Sequence, residues 1–365
     1  MKLLYISHLR PNVADGLSWS VPASVNAQNK YDDVFWLNVG IGEGILDHWK
    51  DVPVFNHYNQ VYWDYEDYLP DNYMKPDIVI FEGFYDKFID VIWGWKLKHR
   101  RIPYIIIPRS ALTETAMNNH ARIKKIIAHK LIYNHHISNA SALHLLTEGE
   151  AKSTLKHFCK RSVIIPNGIS TPSCYKKSFS KDVIKVSYIG RIAANQKGLD
   201  LLFDAILKMK EFLISNNFEL HIYGPENQDY SMLKTMAGKM SIDSLVTFHE
   251  QVFGKKKEDV LLDTDVFIMT SRFEGLPMGL IEALSYGVPC AVTDGTYLDK
   301  EISEYNAGWT TKTSVEGIVY MLKSICTQKA SYEEKGANAR KLSLNYNWDS
   351  IAKKTHEEYL KLIEK

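Results

Sequence analysis

The sequence predicts an α/β protein with two parallel-sheet domains. Short apolar runs rich in β-branched residues alternate with longer amphipathic stretches, which is typical of parallel strands connected by helices. This alternation occurs twice, before and after the polar stretch "TPSCYKKSFSKD" at 171–182. A chain of 365 residues also exceeds the usual ~100–200 residues of one domain. We therefore expect two similar halves facing a cleft.

The first half contains six predicted strands. They lie at 2–7, 33–38, 77–81, 104–107, 142–146 and 162–165. Helices are predicted near 86–100 and 120–138. The apolar residues of 48–73 show no clear periodicity, and this part is interpreted as loop or short helix. The apolar run in "MKLLYISHLRPN" ends too early for a signal peptide. We interpret this segment as the first buried strand.

The Pro-Asn-Gly turn at 166–168 marks the predicted domain boundary. Strands follow at 184–189, 218–223, 245–248, 265–269 and 289–293. Helices follow at 198–214, 229–239, 255–262, 277–286 and 349–364. The predicted domains are 1–168 and 169–348, with a C-terminal helix at 349–365.

Composition indicates a water-soluble chain, with 45% apolar and 24% charged residues and no apolar run long enough to span a bilayer. Four scattered cysteines, at 159, 174, 290 and 326, follow no metal-ligand spacing. We interpret them as packing residues in a reducing, cytoplasmic compartment.

The net charge of +1 conceals an asymmetry. Residues 1–95 contain six Lys/Arg against 14 Asp/Glu, whereas 96–130 contain nine against one. The basic stretch is either a solvated face or a surface for anionic lipid or a phosphorylated acceptor.

The first candidate site is "YIGRIAANQKG" at 188–198, where a strand leads into Gly190 and exposes Arg191 before Lys197 opens a helix. Two cations at the carboxyl end of a parallel strand suit an anion, and a diphosphate above all. The alternative is that both are ordinary surface cations.

The second candidate site is "EGLPMGLIE" at 274–282. Pro277 suits the first turn of a helix, so Glu274 lies in the loop before it and Glu282 in its second turn. The free amides of a helix start favour phosphate, and the flanking carboxylates favour sugar hydroxyls. The alternative is a pair of exposed acids.

These motifs resemble the E-x7-E signature of retaining GT4-type glycosyltransferases of the GT-B fold. The GR…KG segment, the "IIPNGI" turn, the "PYIIIPRSALTETAM" segment and the Trp-containing "NWDSIAKKTHEEYLKLI" helix are similar to segments of the same family. The resemblance implies two facing Rossmann-like domains, with the C-terminal helix crossing back to the first.

The resemblance also implies roles for individual residues. Arg191, Lys197 and Glu274 would be the catalytic residues, with the two cations stabilising the leaving diphosphate and Glu274 binding the transferred sugar; Glu282 would bind the ribose. The full donor site implied is Gly16, Gly190, Arg191, Lys197, Gly224, Val252, Glu274, Gly275, Leu276, Pro277, Met278 and Glu282. No metal is implied as a cofactor, and a UDP-sugar is favoured over a GDP-sugar.

On the acceptor side we expect Glu82 and Arg109, although Glu82 would alternatively contact the donor or simply close a turn at Gly83. Gly16 stands alone where relatives often have a Gly-Gly pair. "DTD" at 263–265 is interpreted as a helix-to-strand turn, and His135 and His136 as surface residues.

The implied function is transfer of a sugar from a nucleotide-diphosphate sugar to a glycan or lipid-linked acceptor, in surface polysaccharide synthesis. The expected location is cytoplasmic, at the inner face of the membrane through the stretch 96–130. The alternatives are an epimerase-like enzyme of the same fold and a non-catalytic nucleotide-sugar-binding partner subunit. A near-neutral pI disfavours a nucleic-acid binder.

Overall fold

The computed structural model describes residues 1–10, 16–40, 45–52, 55–57, 65–84, 88–114, 117, 128, 132–155, 158, 160–180 and 182–363. The chain divides into two compact units. The first combines Met1–Gly168 with Trp348–Lys365, and the second is Ile169–Asn347.

The first unit is built on a parallel sheet of seven strands among the described residues, in the order β3-β2-β1-β4-β5-β6-β7. The strands are β1 Lys2–Ser7, β2 Asp33–Asn38, β3 Phe55–His57, β4 Ile78–Glu82, β5 Tyr104–Ile107, β6 Ala142–Leu145 and β7 Ser162–Ile164. Strands β1 and β4 are almost wholly buried, as expected for a parallel sheet covered on both faces.

Helices cover both faces of this sheet. They are Gly16–Gln28, Asp47–Lys50, Phe88–His99, Asn134–Asn139, Glu148–Leu155 and Trp348–Ile363, with 3-10 turns at Glu66–Tyr68 and Asp71–Tyr73. The last helix buries Ile351, Tyr359 and Leu362 in the same core as β1. The Tyr359 hydroxyl lies 2.7 Å from Nδ1 of His144 on β6, which fixes the C-terminal helix to this unit.

The second unit is built on a parallel sheet of six strands, in the order β10-β9-β8-β11-β12-β13. The strands are β8 Ile184–Ile189, β9 Phe218–Tyr223, β10 Val246–His249, β11 Val266–Met269, β12 Cys290–Thr293 and β13 Gly308–Thr311. The α-helices are Leu199–Lys208, Lys210–Ser215, Gln228–Lys239, Gly254–Asp263, Met278–Ser285, Asp299–Glu304, Val315–Thr327 and Tyr332–Ser343. The 3-10 turns are Asp294–Thr296, Lys329–Ser331 and Leu344–Tyr346.

Both α/β sheets are confirmed, and every predicted strand is present. Strands β3 and β13 were not predicted, because Phe55–His57 has only three residues and Gly308–Thr311 begins with a glycine. The predicted helix 198–214 was wrong in one respect, since it breaks at Met209 into two helices. Of the predicted helix 120–138, residues 120–127 and 129–131 lie outside the described part of the chain.

Two further expectations need correction. His136 is buried rather than on the surface, because its ring stacks on Tyr104 with the centroids 5.2 Å apart, and burial lowers the pKa of His136 to about 4. Cys290 and Cys326 are packing residues as predicted, whereas Cys174 is exposed and Cys159 lies outside the described residues.

Across the described ranges, we find no helix with the length and apolarity needed to cross a membrane.

Candidate functional site

The carboxyl ends of β8 and β11 bring together the two predicted motifs. Lys197, in the loop after β8, places its ammonium 2.7 Å from Oε1 and 2.8 Å from Oε2 of Glu274, in the loop after β11. The side chains are only 13% and 6% exposed, so this ion pair is largely shielded from water. Two residues 77 positions apart thus form one compact charged group.

Residues around this pair hold the two loops together. The Ser271 hydroxyl donates a short hydrogen bond to Oε1 of Glu274. The Thr270 hydroxyl donates to the Gly198 carbonyl at 3.0 Å. Gly198 has a φ of +62°, and a Cβ there would lie 2.0 Å from the Thr270 carbonyl oxygen. Only glycine permits this close approach of the two loops.

Side chains from two other segments of the chain also hold the loop after β8. The Arg272 guanidinium makes a bidentate ion pair with Asp200 at 2.7 and 2.8 Å and donates to the Asn195 carbonyl at 2.6 Å. On the other side, the Ala194 amide donates to the Asp229 carboxylate at 2.8 Å. The side-chain amide of Asn227 donates from Nδ2 to the Ile192 carbonyl at 2.8 Å. The loop is therefore preorganised before any ligand binds.

Arg191 and Gly190 lie at the edge of this loop. The exposed Arg191 guanidinium donates to the Gln196 side-chain oxygen, and the buried Tyr188 hydroxyl donates to the Arg191 carbonyl at 2.8 Å. Gly224, at the end of β9, packs so closely that a Cβ would lie 2.5 Å from the Gly190 carbonyl. The ends of β8 and β9 are thus packed closely together, with Gly224 buried and Gly190 half-buried.

The helix Met278–Ser285 starts beside the ion pair. Pro277 is its N-cap, and the Pro277 carbonyl accepts hydrogen bonds from the amides of Leu280 and Ile281 at 3.0 and 3.1 Å. Within the described residues, the amides of Gly275 and Gly279 donate to no protein acceptor. Such open amides at a helix start attract anions.

Glu282 lies in the second turn of the same helix. Its carboxylate makes a short contact with the ammonium of Lys257, from the helix Gly254–Asp263, and both side chains are partly exposed. Each carboxylate of the predicted pair is therefore neutralised by a lysine. An arriving polyanion would meet two ion pairs rather than two bare negative charges.

Comparison with known proteins identifies this unit. The family model "Glycosyl transferases group 1" matches residues 175–342. Residues 175–342 belong to this glycosyltransferase family. The lipopolysaccharide 1,6-galactosyltransferase of Escherichia coli K12 is 26% identical over 166 residues, which are 44% of this chain and 43% of that protein. The chain thus matches less than half of the length of this curated relative.

Solved structures agree on the fold. Sucrose-phosphate synthase from Thermosynechococcus elongatus superposes with a TM-score of 0.74 at 13% identity, covering 100% of both chains. Anabaena HepE, solved in complex with UDP, superposes with a TM-score of 0.70 at 15% identity, covering 99% of this chain and 100% of that one. The likenesses at this identity show the fold, and the predicted GT-B class is confirmed.

The remaining predicted donor residues of the group 1 domain are close to its core. Leu276 and Met278, beside the helix start, and Val252, after β10, all pack partly buried against the cluster that includes Leu280 and Phe267. Gly16, predicted for the same site, is the first residue of a helix in the other unit, and 11–15 before it lie outside the described residues.

The predicted acceptor-side residues form a buried ion pair. Arg109 Nη2 lies 2.8 Å from Oε2 of Glu82, and the side chains are 8% and 2% exposed. Arg109 also donates to Oδ1 of Asn167, in the Pro-Asn-Gly turn. Burial raises the pKa of Glu82, and the Arg109 charge opposes that shift. Gly83 has a φ of +103°, so the turn considered in the sequence is also present.

Across the described ranges, no three His, Cys, Asp or Glu side chains are grouped to hold an ion. Asp265 of "DTD" lies at a helix-to-strand turn as predicted. Its carboxylate accepts from the amides of Ser180 and Lys185 at 3.0 and 3.1 Å and pairs with Lys176 at 3.2 Å.

Sequence reasoning missed Ser271, Arg272 and Lys257. Ser271 and Arg272 lie three and two residues before Glu274, so their closeness in sequence was a usable signal. Lys257 lies 25 residues before its partner Glu282. It is one of three consecutive lysines, and nothing in the sequence distinguishes it from the other two.

Proposed function

We propose that this protein is a retaining glycosyltransferase that moves a sugar from a nucleotide-diphosphate sugar to a hydroxyl of a glycan or lipid-linked acceptor. The observation that carries the proposal is the shielded Lys197–Glu274 pair at the carboxyl ends of β8 and β11, inside the segment that matches glycosyl transferases group 1. Ligands of open parallel sheets bind at this edge.

In this proposal Lys197 and Arg191 bind the donor diphosphate. A lysine ammonium has three donors, and Lys197 uses two for the Glu274 oxygens, which leaves one for a phosphate oxygen. Arg191 uses one of its five donors for Gln196 and can offer the others to phosphate. Both cations, together with the open amide of Gly279, stabilise the charge that develops on the departing diphosphate.

Glu274 positions the transferred sugar. Its carboxylate already accepts from Lys197 and Ser271, and the free lone pair on Oε2 suits one sugar hydroxyl. A carboxylate held by an ammonium is a weak nucleophile, which favours direct transfer with retention. The bond from the anomeric carbon to the diphosphate oxygen breaks, the acceptor oxygen bonds to that carbon on the same face, and its proton passes to the departing diphosphate.

We favour UDP as the nucleotide of the donor, since HepE of the same fold was solved with UDP. Glu282 accepts from the ribose hydroxyls, and the loops 224–230 and 249–254 contact the base. A thermal-shift panel of UDP, GDP, ADP, CMP and dTDP tests the proposal, because a ligand that binds only the folded state raises the melting temperature. UDP should give the largest shift, and no shift for any of the five would overturn the proposal.

The acceptor belongs to surface polysaccharide synthesis in this proposal, which the likeness to a lipopolysaccharide galactosyltransferase supports. The basic stretch 96–130 would dock on the anionic inner face of the membrane. Lys98, Arg100 and Arg101 in this stretch are exposed, although Arg100 pairs with Glu66 at 2.7 Å. Acceptor contacts by Glu82 and Arg109 remain a prediction, since both side chains are buried.

Flotation with phosphatidylglycerol vesicles tests the membrane proposal. The wild-type protein should float, and a variant with the Lys and Arg residues of 96–130, apart from the buried Arg109, changed to Gln should remain in the soluble fraction. The exposed Lys208 and Lys255 of the second unit give a matched control when changed to Gln. Equal flotation of all three proteins would remove the membrane role.

A further inference from the structure

We propose that Trp19, supported by His48, is a saccharide-stacking platform on the first unit. Trp19 is 56% exposed. One face of its indole is covered by the His48 imidazole, with ring centroids 3.8 Å apart and an interplanar angle of 1°. An indole backed by a parallel ring on one side offers a flat aromatic surface on the other.

The support of this platform is fixed. His48 Nε2 donates to the Ser18 carbonyl at 2.8 Å, and Nε1 of the buried Trp49 donates to the same carbonyl at 2.8 Å. Trp49 also packs edge-on against Trp36 of β2, with centroids 5.6 Å apart. The imidazole therefore cannot turn freely. A ligand that stacks on Trp19 loses less affinity to side-chain ordering than it would on an unsupported ring.

The platform lies at the ligand-binding edge of its sheet. Trp19 is in the first turn of the helix Gly16–Gln28, which follows β1. His48 is in the helix Asp47–Lys50, which follows the adjacent strand β2. Both rings are therefore near the carboxyl ends of two neighbouring parallel strands, where doubly wound sheets bind ligands.

The surrounding chemistry favours a neutral saccharide. The helix Asp47–Lys50 beside Trp19 carries one acid and one lysine, which pair with each other and offer no net positive charge to an anionic lipid surface or a free nucleotide. The exposed side chains of Asp47 and Lys50 flank His48 and can exchange hydrogen bonds with hydroxyl groups. A pyranose ring combines an apolar face that suits an indole with a rim of hydroxyls. On the proposed function, from which the ligand class is taken, this saccharide is part of the acceptor.

Trp95 provides a matched comparison within the same unit. It is 53% exposed and also lies beside a histidine, His99, at 4.2 Å. The two rings are tilted by 52° and do not stack. Trp95 lies in the second half of the helix Phe88–His99, away from the helix start that follows β4. Exposure alone would make both tryptophans binding sites, whereas the platform proposal selects Trp19.

The test follows the indole Nε1–H signals of the ¹⁵N-labelled full chain, with the signals of Trp19 and Trp95 assigned by Trp19→Phe and Trp95→Phe. The probes are maltoheptaose and chitotetraose at millimolar concentration. At least one saccharide should shift the Trp19 signal and leave that of Trp95 in place. His48→Ala should weaken the apparent affinity by about threefold or more, as expected for loss of one aromatic pair.

Three results would overturn the platform: an unmoved Trp19 signal with both saccharides, equal shifts at Trp19 and Trp95, or a Trp19 signal that responds only to phosphatidylglycerol vesicles. The UDP thermal shift of Trp19→Ala separates this proposal from the proposed function. If Trp19→Ala keeps the wild-type UDP shift and the Trp19 signal of the wild-type chain responds to neither saccharide, only the platform proposal is wrong. If none of the five nucleotides raises the melting temperature of the wild-type chain, the proposed function is wrong, whatever Trp19 binds.

Discussion

At the scale of single residues, the central feature is the mutual neutralisation of Lys197 and Glu274. Burying an unpaired carboxylate costs several kcal/mol, and the Lys197 ammonium at 2.7 and 2.8 Å removes most of that cost. The same pairing keeps the local net charge near zero, so a diphosphate meets no bare carboxylate. One ion pair thus serves the stability of the unit and the proposed donor site.

Ser271 is a positioning residue in this account, because its hydroxyl holds Oε1 of Glu274. We expect Ser271→Ala to lower kcat about tenfold, near 1.4 kcal/mol, with little change in the donor KM, since the carboxylate loses its fixed orientation while the cations remain. Steady-state transfer or donor hydrolysis measures the effect. Ser271→Thr should recover most of kcat, and Ser231→Ala, at an exposed site, should behave as wild type. Wild-type kcat in Ser271→Ala would refute the positioning role.

His144 links stability to pH. Burial lowers its pKa to about 4, and the neutral ring donates from Nε2 to the Ile165 carbonyl at 2.9 Å. Because the folded pKa is below the unfolded value of about 6.5, the stabilisation is present above pH 6.5 and is lost as pH falls towards 4. We expect a loss of about 2 kcal/mol from this residue between pH 7.5 and 5.

Urea unfolding at pH 7.5 and 5 measures that loss. His144→Gln should show a smaller pH dependence than the wild-type chain by about 2 kcal/mol, whatever its absolute stability. His135→Gln, which changes an exposed histidine, should keep the wild-type dependence. Equal pH dependence in all three proteins would refute the assignment to His144.

At the scale of elements, the loop after β8 contacts the loop after β11 at a glycine, Gly198. Gly198 has a left-handed φ and sits against the Thr270 carbonyl, which no side chain would tolerate. Thr270 and Arg272, at the end of β11, hold the two loops together, and Ser271 between them holds the Glu274 carboxylate. The proposed donor site therefore depends on backbone contact as much as on charge.

Gly198→Ala tests this contact. We expect it to lower the free energy of unfolding by at least about 2 kcal/mol, from the strained φ and the clash, and to weaken UDP binding. Gly238→Ala is the matched control, because a Cβ there meets nothing within 4 Å and its helix should gain about 0.5–1 kcal/mol. Chemical unfolding and UDP titration report both effects. A Gly198→Ala protein as stable as Gly238→Ala would contradict the close-approach argument.

The elements also show what the sequence could predict. Val266–Met269 and the first four residues of Ile78–Glu82 are continuous apolar runs, and buried parallel strands are recognisable by that pattern. Glu274 and Lys197 were predictable because glycine and proline mark their loops. Lys257 was not, since its pairing with Glu282 depends on how two helices pack, and no local spacing encodes it. The burial of His136 was missed for the same reason.

At the scale of the whole molecule, each unit has its own parallel sheet and its own core. The described donor-site candidates lie in Ile169–Asn347 except Gly16, whereas the Trp19 platform and the Glu82–Arg109 pair lie in the first unit. Apart from Gly16, which lies in the same helix as Trp19, the residues of the two proposals lie in different units, so variants at Lys197 and at Trp19 test them separately. Changes at Lys197 should alter nucleotide binding, and changes at Trp19 should leave it intact.

Isothermal titration with UDP tests the central claim most directly, using the wild-type chain, Lys197→Ala and the control Lys208→Ala, whose exposed side chain pairs with Glu316. Glu274→Gln combined with Lys197→Ala controls for folding, because it removes the carboxylate left unpaired. We predict that UDP binds the wild type and Lys208→Ala equally and binds both Lys197 variants about 100-fold more weakly, as for loss of one preorganised charged donor. Unchanged UDP affinity in folded Lys197→Ala would contradict the account.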